Sequence, residues 1–311
     1  MTTAIGQVRE IRRYPVKSML GEEPERVTIG ASGIPGDRAW ALVDAATGKV
    51  ASAKQPRLWG ELLGFRAVYL DGAADPADPR PDAAAPGPGA AGPPPPGPVE
   101  ITDPTGARVR SDDPAVDDRL SAAVGRPVRL SSKVPDAGQY DYVWEVDGLA
   151  PQEIVSGSQT GVTEEGRPLS AMPLGVMAPG TFQDVAPVTV MTTAALAAMG
   201  AVHPDGRWDP ARFRSNLLLE VDGDGIVENE WVGRRLTVGG AVLEVAAPTP
   251  RCVMTTLPQG DLPRDRRILQ AVARENRRDF AGLGQWACLG AYATVVEPGE
   301  VAVGDPIRLG T

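Results

Sequence analysis

"RRLTVGGAVLEVAAPTPRCVM" occupies residues 234–254. Apolar and polar residues alternate on both sides of Gly239-Gly240, the pattern of two half-buried strands joined by a two-glycine turn. The second strand carries Arg251 and Cys252 to its end, just after a proline. The same strand–turn–strand idiom recurs outward in both directions. "IGQVREIRRYPV" alternates, "ERVTIG" stops on a glycine, and "DRAWALVDAATGKVAS" reads as a hairpin turning at Thr47-Gly48. "VEITDPTGARVRSDD" and "RPVRLSS" continue the pattern, and "YATVVEPGEVAVGDPIRL" reads as a final hairpin with a Pro-Gly turn. Helical spacing is rarer. "RLWGELLGF" predicts a short helix, and "DDPAVDDRLSAAVG" one that Asp113 can cap and Gly125 can end. "PVTVMTTAALAAMG" predicts a strand followed by a threonine-capped helix, and "DRRILQAVARENRR" an amphipathic helix with Ile268, Leu269 and Val272 on one face. Strands outnumber helices without regular βα alternation, so the expected class is mainly β (α+β), barrel-like, with a few covering helices.

Residues 71–98 interrupt this text. Ten of these 28 positions are Pro, five Gly and eight Ala, too little apolar surface to offset the entropy of ordering the segment. It is expected to be a disordered insertion inside a first unit, 1–132, followed by a second, 133–311.

Composition excludes several functions. The chain has 311 residues and a net charge of −9, which argues against a general nucleic-acid surface. Two cysteines and one histidine exclude a disulfide framework, a zinc finger and a four-cysteine iron–sulfur site within these residues. His203, in "HPDG", reads as a solvated loop residue. Neither a signal-peptide core nor a membrane span is legible, which makes a cytoplasmic, membrane-free protein the expectation. No Walker loop, dinucleotide turn, nucleophile elbow or HExxH is present, and "DGDGIVENE" reads as a turn rather than a calcium loop.

Against this acidic background, cations gather where strands meet turns: Lys17 beside Ser18, Arg38, Arg212 and Arg214 beside Asn216, and Arg251 beside Cys252. Singly, each reads as a solvated side chain. Together, with small hydrogen-bonding neighbours, they suit a multiply charged phosphate ligand. A thiol among such cations is expected to have a lowered pKa and to serve as a soft metal ligand. Cys288, in "GQWACLGAY", reads as a buried spacer.

"YPVKS", "GDRAW", "GTFQDVAPVTVMTTAALAAM", "RFRSN" and "RCVMTT", in this order, resemble the MOSC proteins, including the N-terminal β-barrel domain that often precedes the MOSC domain and the branch containing the mitochondrial amidoxime reducing component and its bacterial counterparts. The resemblance implies a MOSC N-terminal barrel domain over 1–132, a MOSC β-barrel domain over 133–311, and a molybdenum cofactor (molybdopterin). Cys252 would ligate the metal as the catalytic cysteine. Lys17, Ser18, Arg38, Arg212, Arg214, Asn216 and Arg251 would contact the cofactor, as would Thr192 and Thr193 at a helix start. Pyridoxal phosphate binding is a further family-level association. Ser215 departs from the proline common at its position. The activity implied is an oxidoreductase acting on small N-hydroxylated compounds, with electrons from a separate ferredoxin or flavin reductase. The alternatives are a carrier of the cofactor, or of sulfur on Cys252, and an oxidoreductase dedicated to one pathway, its pocket shaped by residues 133–180.

Overall fold

The computed structural model describes residues 4–70, 96–135, 138–144, 149–178 and 180–310. Most of the expected insertion, residues 71–95, lies outside them.

Seven strands form a closed barrel: β1 (Ala4–Ile11), β2 (Val188–Thr192), β3 (Leu217–Val221), β4 (Arg235–Val238), β5 (Ala241–Pro250), β6 (Gln285–Glu297) and β7 (Pro306–Leu309). They pair in the order β2-β3-β1-β7-β4-β5-β6, and β6 returns to β2 to close the ring. All neighbours are antiparallel except β2 and β3. That parallel pair is bridged by helix α1 (Thr193–Val202), as a parallel connection requires.

Period two decides which residues fill the barrel. Leu217 and Leu219 point into its core with Val8, Val190, Leu236, Leu243, Val245 and Ile307. Leu218 points outward and packs with Met191 under α1 and helix α2 (Arg266–Glu275). As the spacing predicts, Ile268, Leu269 and Val272 of α2 are fully buried there.

A second core holds the N-terminal segment, with Met19, Leu42, Trp59, Leu62, Phe65, Ile101, Leu120 and Val128 at its centre. Its strands make short sheets: Ala41–Asp44 pairs with Val128–Ser131, and Arg66–Tyr69 with Val99–Thr102, which also pairs with Arg108–Arg110. Gly125 ends the helix Val116–Val124 in the left-handed conformation that its lack of a Cβ permits. Asp113 accepts from the Ala115 N–H one turn before that helix instead of capping it.

The final hairpin does not form as expected. Gly299–Ala302 leaves β6 and pairs with Arg26–Ile29, while β7 joins β1 and β4. The Pro298-Gly299 corner packs so closely on the Gly239-Gly240 turn that a Cβ on Gly299 would lie 2.2 Å from the Gly240 carbonyl oxygen. His203 also differs from expectation. It is buried, and its Nε2 lies 2.8 Å from Asp265 Oδ2, so the one histidine locks α1 to the start of α2.

Candidate functional site

At the end of the barrel, the loops of the N-terminal segment meet the exits of β5 and the loop before β3, enclosing a cavity of about 200 Å³. Eight of the ten residues singled out from the sequence line it: Lys17, Ser18, Arg38, Arg212, Arg214, Asn216, Arg251 and Cys252. Among the described residues, four non-glycine residues have positive φ, and three of them are Ser18 (φ 64), Arg38 (φ 49) and Arg214 (φ 54). Bulky residues adopt this conformation at a cost, so its concentration around one cavity marks a site whose geometry outranks local comfort.

The two arginines share one ring. The guanidinium carbons of Arg38 and Arg214 lie 4.5 and 4.3 Å from the Tyr14 ring centroid, both within cation–π range. Arg38 pairs with buried Asp37 and donates to the Arg214 carbonyl. Arg214 donates Nη1 to the Met19 carbonyl at 2.6 Å, while its Nη2 is buried with no partner. Burial, reinforced by neighbouring Arg38, pulls the Arg214 pKa down to about 10. Arg251 has the same half-spent character. Its Nε and Nη1 donate to the carbonyls of Leu289 and Phe213, and its buried Nη2 has no partner. Gly290 (φ +75) makes room for it, because a Cβ there would stand 2.9 Å from Arg251 Nη2 and 2.7 Å from the Val190 carbonyl oxygen.

Not every cation is available. Arg212 donates to the carbonyls of Arg207, Thr255, Leu257 and Pro263, so it bolts the loop after Cys252 to the segment before α2. Asn216 uses its amide to hold Thr189 and the Arg12 carbonyl, tying the start of β2 to that of β3. Thr192 and Thr193 do not reach the cavity. The Thr192 hydroxyl accepts from the Ala195 N–H as the cap of α1 and donates to the buried Glu228 carboxyl group at 2.8 Å.

Cys252 leads into a short 3₁₀ turn, Val253–Thr256, whose threonines bond back onto the Cys252 and Val253 carbonyls. Both cysteines are free thiols. The expected lowering of the Cys252 pKa is overturned: burial pushes the thiol up, outweighing the pull of Lys54, the Met254 N–H and Arg251. Cys288 is fully buried opposite Pro250 and is pushed up to about 12, as suits a spacer.

Several lining residues carried no role in the sequence reading. Lys54 donates to Asp184 at 2.9 Å and to the Tyr140 hydroxyl at 3.1 Å. Asp184 also holds Lys17, and the two ammonium groups keep its carboxyl well below the ordinary range despite its burial. Burial brings Lys17 down to about 8, with Asp184 opposing. Asp184 stands within the quoted "GTFQDVAP" stretch, whereas Lys54 follows a strand with nothing to mark it. Tyr140, Tyr142, Trp144, Phe280, Trp286 and Tyr292 also line the cavity. The available signal was the period-two aromatic run "YDYVW" (140–144), which places three rings on one face.

Among the described residues, no group of three or more His, Cys, Asp or Glu side chains is placed to hold a metal ion. What the chain offers is one thiol, two orphaned guanidinium nitrogens and a surplus of cations, a donor set that fits an anionic cofactor bringing most of its metal's ligands with it. Among the described residues, no helix is long and apolar enough to cross a membrane.

Comparison with known proteins agrees with the motifs. The family model described as "MOSC domain" matches residues 179–308, and that described as "MOSC N-terminal beta barrel domain" matches residues 5–60. No curated protein matches significantly. Among solved structures, YiiM from Geobacillus stearothermophilus is 18% identical with a TM-score of 0.27, the match covering 40% of this chain and 55% of that one. YiiM from Escherichia coli is 17% identical with a TM-score of 0.29 and coverages of 40% and 55%. The YuaD protein from Bacillus subtilis is 15% identical with a TM-score of 0.32 and coverages of 58% and 86%. The match to the YiiM proteins thus spans little more than half of their length. The chain belongs to the MOSC-domain proteins and carries the MOSC N-terminal barrel domain ahead of its MOSC domain.

Proposed function

We propose that the cavity holds a molybdenum pterin cofactor and that the protein reduces small N-hydroxylated compounds, as its resemblance to the amidoxime reducing component suggests. MOSC domains are associated with molybdenum-cofactor-binding proteins. The observation that carries the reading is the pair of buried, unpartnered Nη2 atoms on Arg214 and Arg251, two residues that line the same cavity as a free thiol. A buried donor without an acceptor costs about 1–3 kcal/mol, a debt that a phosphate or similar anion would cancel.

In this reading Cys252 is the protein's ligand to the metal, while Arg38, Arg214, Arg251 and Lys17 hold the anionic part of the cofactor. Ser18, whose hydroxyl oxygen already accepts from the Ala53 N–H, keeps its O–H free to donate. Arg212 and Asn216 position the walls. When bound, the cofactor supplies two-electron redox chemistry at the metal. The chain excludes water with its aromatic side and keeps ammonium donors at Lys17 and Lys54 within the cavity. Electrons come from a separate ferredoxin- or flavin-type reductase.

Metal and pterin analysis of the purified protein tests the reading. Cys252→Ser is expected to lose reductase activity on benzamidoxime, and Cys288→Ser to keep most of it. Dithionite or reduced viologen should sustain turnover, and NADPH alone should not. Tightly bound cofactor without turnover would move the assignment to a carrier; absence of both molybdenum and pterin would remove it.

A further inference from the structure

The cavity has two chemically distinct sides, and Cys252 sits between them. One is the cationic side described above. The other is a wall of rings in two ranks. Tyr140, Tyr142 and Trp144 come from strand Gln139–Val143 and its end, where alternate residues share a face. Phe280, Trp286 and Tyr292 come from the segment entering β6 and from β6 itself. The rings form one chain, with the ranks joined at Trp144 and Trp286: Tyr142 and Trp144 centroids are 4.4 Å apart, Trp144 and Trp286 6.0 Å, Trp286 and Phe280 5.9 Å, and Phe280 and Tyr292 6.1 Å. Cys252 packs directly against this cluster.

Three observations say what the wall is for. Its first rank lies outside the residues that either family model matches, 5–60 and 179–308. Among the described residues, the hydroxyls of Tyr142 and Tyr292 make no hydrogen bond within the chain, leaving two polar handles on an apolar surface. A cluster of rings ordinarily reads as a receptor for a cation. Here the chain's own ammonium groups fill that role: Lys17 lies 4.8 Å and Lys54 4.9 Å from the Tyr140 centroid, and Lys54 lies 5.3 Å from that of Tyr142. Further round the lining stand Arg38, Arg214 and Arg251, with Asp184 as the lining carboxylate. A second cation would meet repulsion, while a flat neutral or anionic ring would find stacking partners.

We propose that this wall binds a planar aromatic ligand that is neutral or anionic, and that it thereby sets the substrate class of the site. Its role in holding the substrate's organic part beside Cys252 rests on the reductase reading; the binding itself does not, because no wall residue needs the cofactor in order to stack.

Trp144 and Trp286 supply the readout, since a ring stacking on them alters their fluorescence. The full chain, its molybdenum content measured alongside, is titrated with benzohydroxamic acid, acetohydroxamic acid and benzamidine. Benzohydroxamic acid should bind about tenfold more tightly than its aliphatic analogue or the benzamidinium cation. Tyr142→Ala and Trp286→Leu should each weaken it about tenfold while far-ultraviolet circular dichroism stays unchanged. Lys54→Gln should narrow the gap between benzohydroxamic acid and benzamidine. Equal affinity for all three compounds would overturn the proposal, as would wild-type affinity in both wall variants. If a variant fails to fold, the three-compound series on the wild type decides. Ring selectivity without molybdenum would sink the reductase reading and leave the wall standing. Molybdenum with turnover but no selectivity would do the reverse.

Discussion

Glu228 is a fully buried carboxyl, with Oε2 accepting from the Thr192 hydroxyl and Oε1 lacking a partner. Burial raises its pKa from 4.5 to about 7, against the hydrogen bonds that favour the charged form. The folded protein therefore holds this proton between pH 4.5 and 7, where the unfolded chain has released it. Stability falls as pH rises through that window and is lowest above it. At about 1.4 kcal/mol for each tenfold change in proton affinity, the cost at pH 8 is about 3 kcal/mol. Glu228→Gln keeps the shape and the contact with Thr192 but has no charge to bury. For a chain of this length, an entropy of unfolding of about 2.1 cal/mol/K per residue converts that gain into a Tm rise of about 5 °C at pH 8. At pH 5 the folded side chain is neutral and only the unfolded one is partly ionised, so the two melting curves should differ by only about 1 °C. Scanning calorimetry at both pH values tests this. An equal shift at pH 5 and pH 8, or a lower Tm for the variant at pH 8, would refute the argument that ionisation is the cost.

Three further outcomes follow from the cavity. Arg214→Ala should weaken binding of inorganic pyrophosphate, an anion probe, by about 10- to 100-fold, the worth of one charged hydrogen bond; calorimetric titration measures it, and unchanged affinity would remove Arg214 from the anion site. Pyrophosphate affinity of the unloaded protein should fall as pH rises through about 8, where Lys17 gives up its proton, and Lys17→Met should flatten that step. Gly290→Ala should lower stability by about 1–2 kcal/mol and displace Arg251, because the new Cβ has no room beside Val190 and the backbone stays left-handed. A denaturant midpoint equal to wild type would show that the strand yields at this point.

Motifs at strand ends revealed where the cations are, since "YPVKS", "GDRAW", "RFRSN" and "RCVMTT" are local statements about turns. Whether a given guanidinium is free is not local. Arg212 and Arg214 look alike two residues apart, yet one is spent on four carbonyls, three of them distant in sequence, and the other keeps a nitrogen in reserve. The threonines at the head of α1 were legible as a cap, but not the buried Glu228 that takes up the Thr192 hydroxyl. The Cys252 thiol was misjudged because neighbouring charge can be read from the sequence and desolvation cannot. The final hairpin failed for a similar reason. Its Pro-Gly corner is real, but the partners on either side are set by barrel closure and by the approach of the Gly239-Gly240 turn.

The position of β1 has a consequence for synthesis. It stands between β3 and β7, so a strand from the first dozen residues needs partners made some 210 and 300 residues later. During translation the hairpin of β4 and β5 can form as soon as it emerges. The ring can close only when β7 has left the ribosome, and until then the facing edges of β1 and β4 stay unpaired. Such long-range closure is slow and leaves strand edges open to other chains. A nascent chain paused before residue 306 should therefore be protease-sensitive in β1 although that strand was made first.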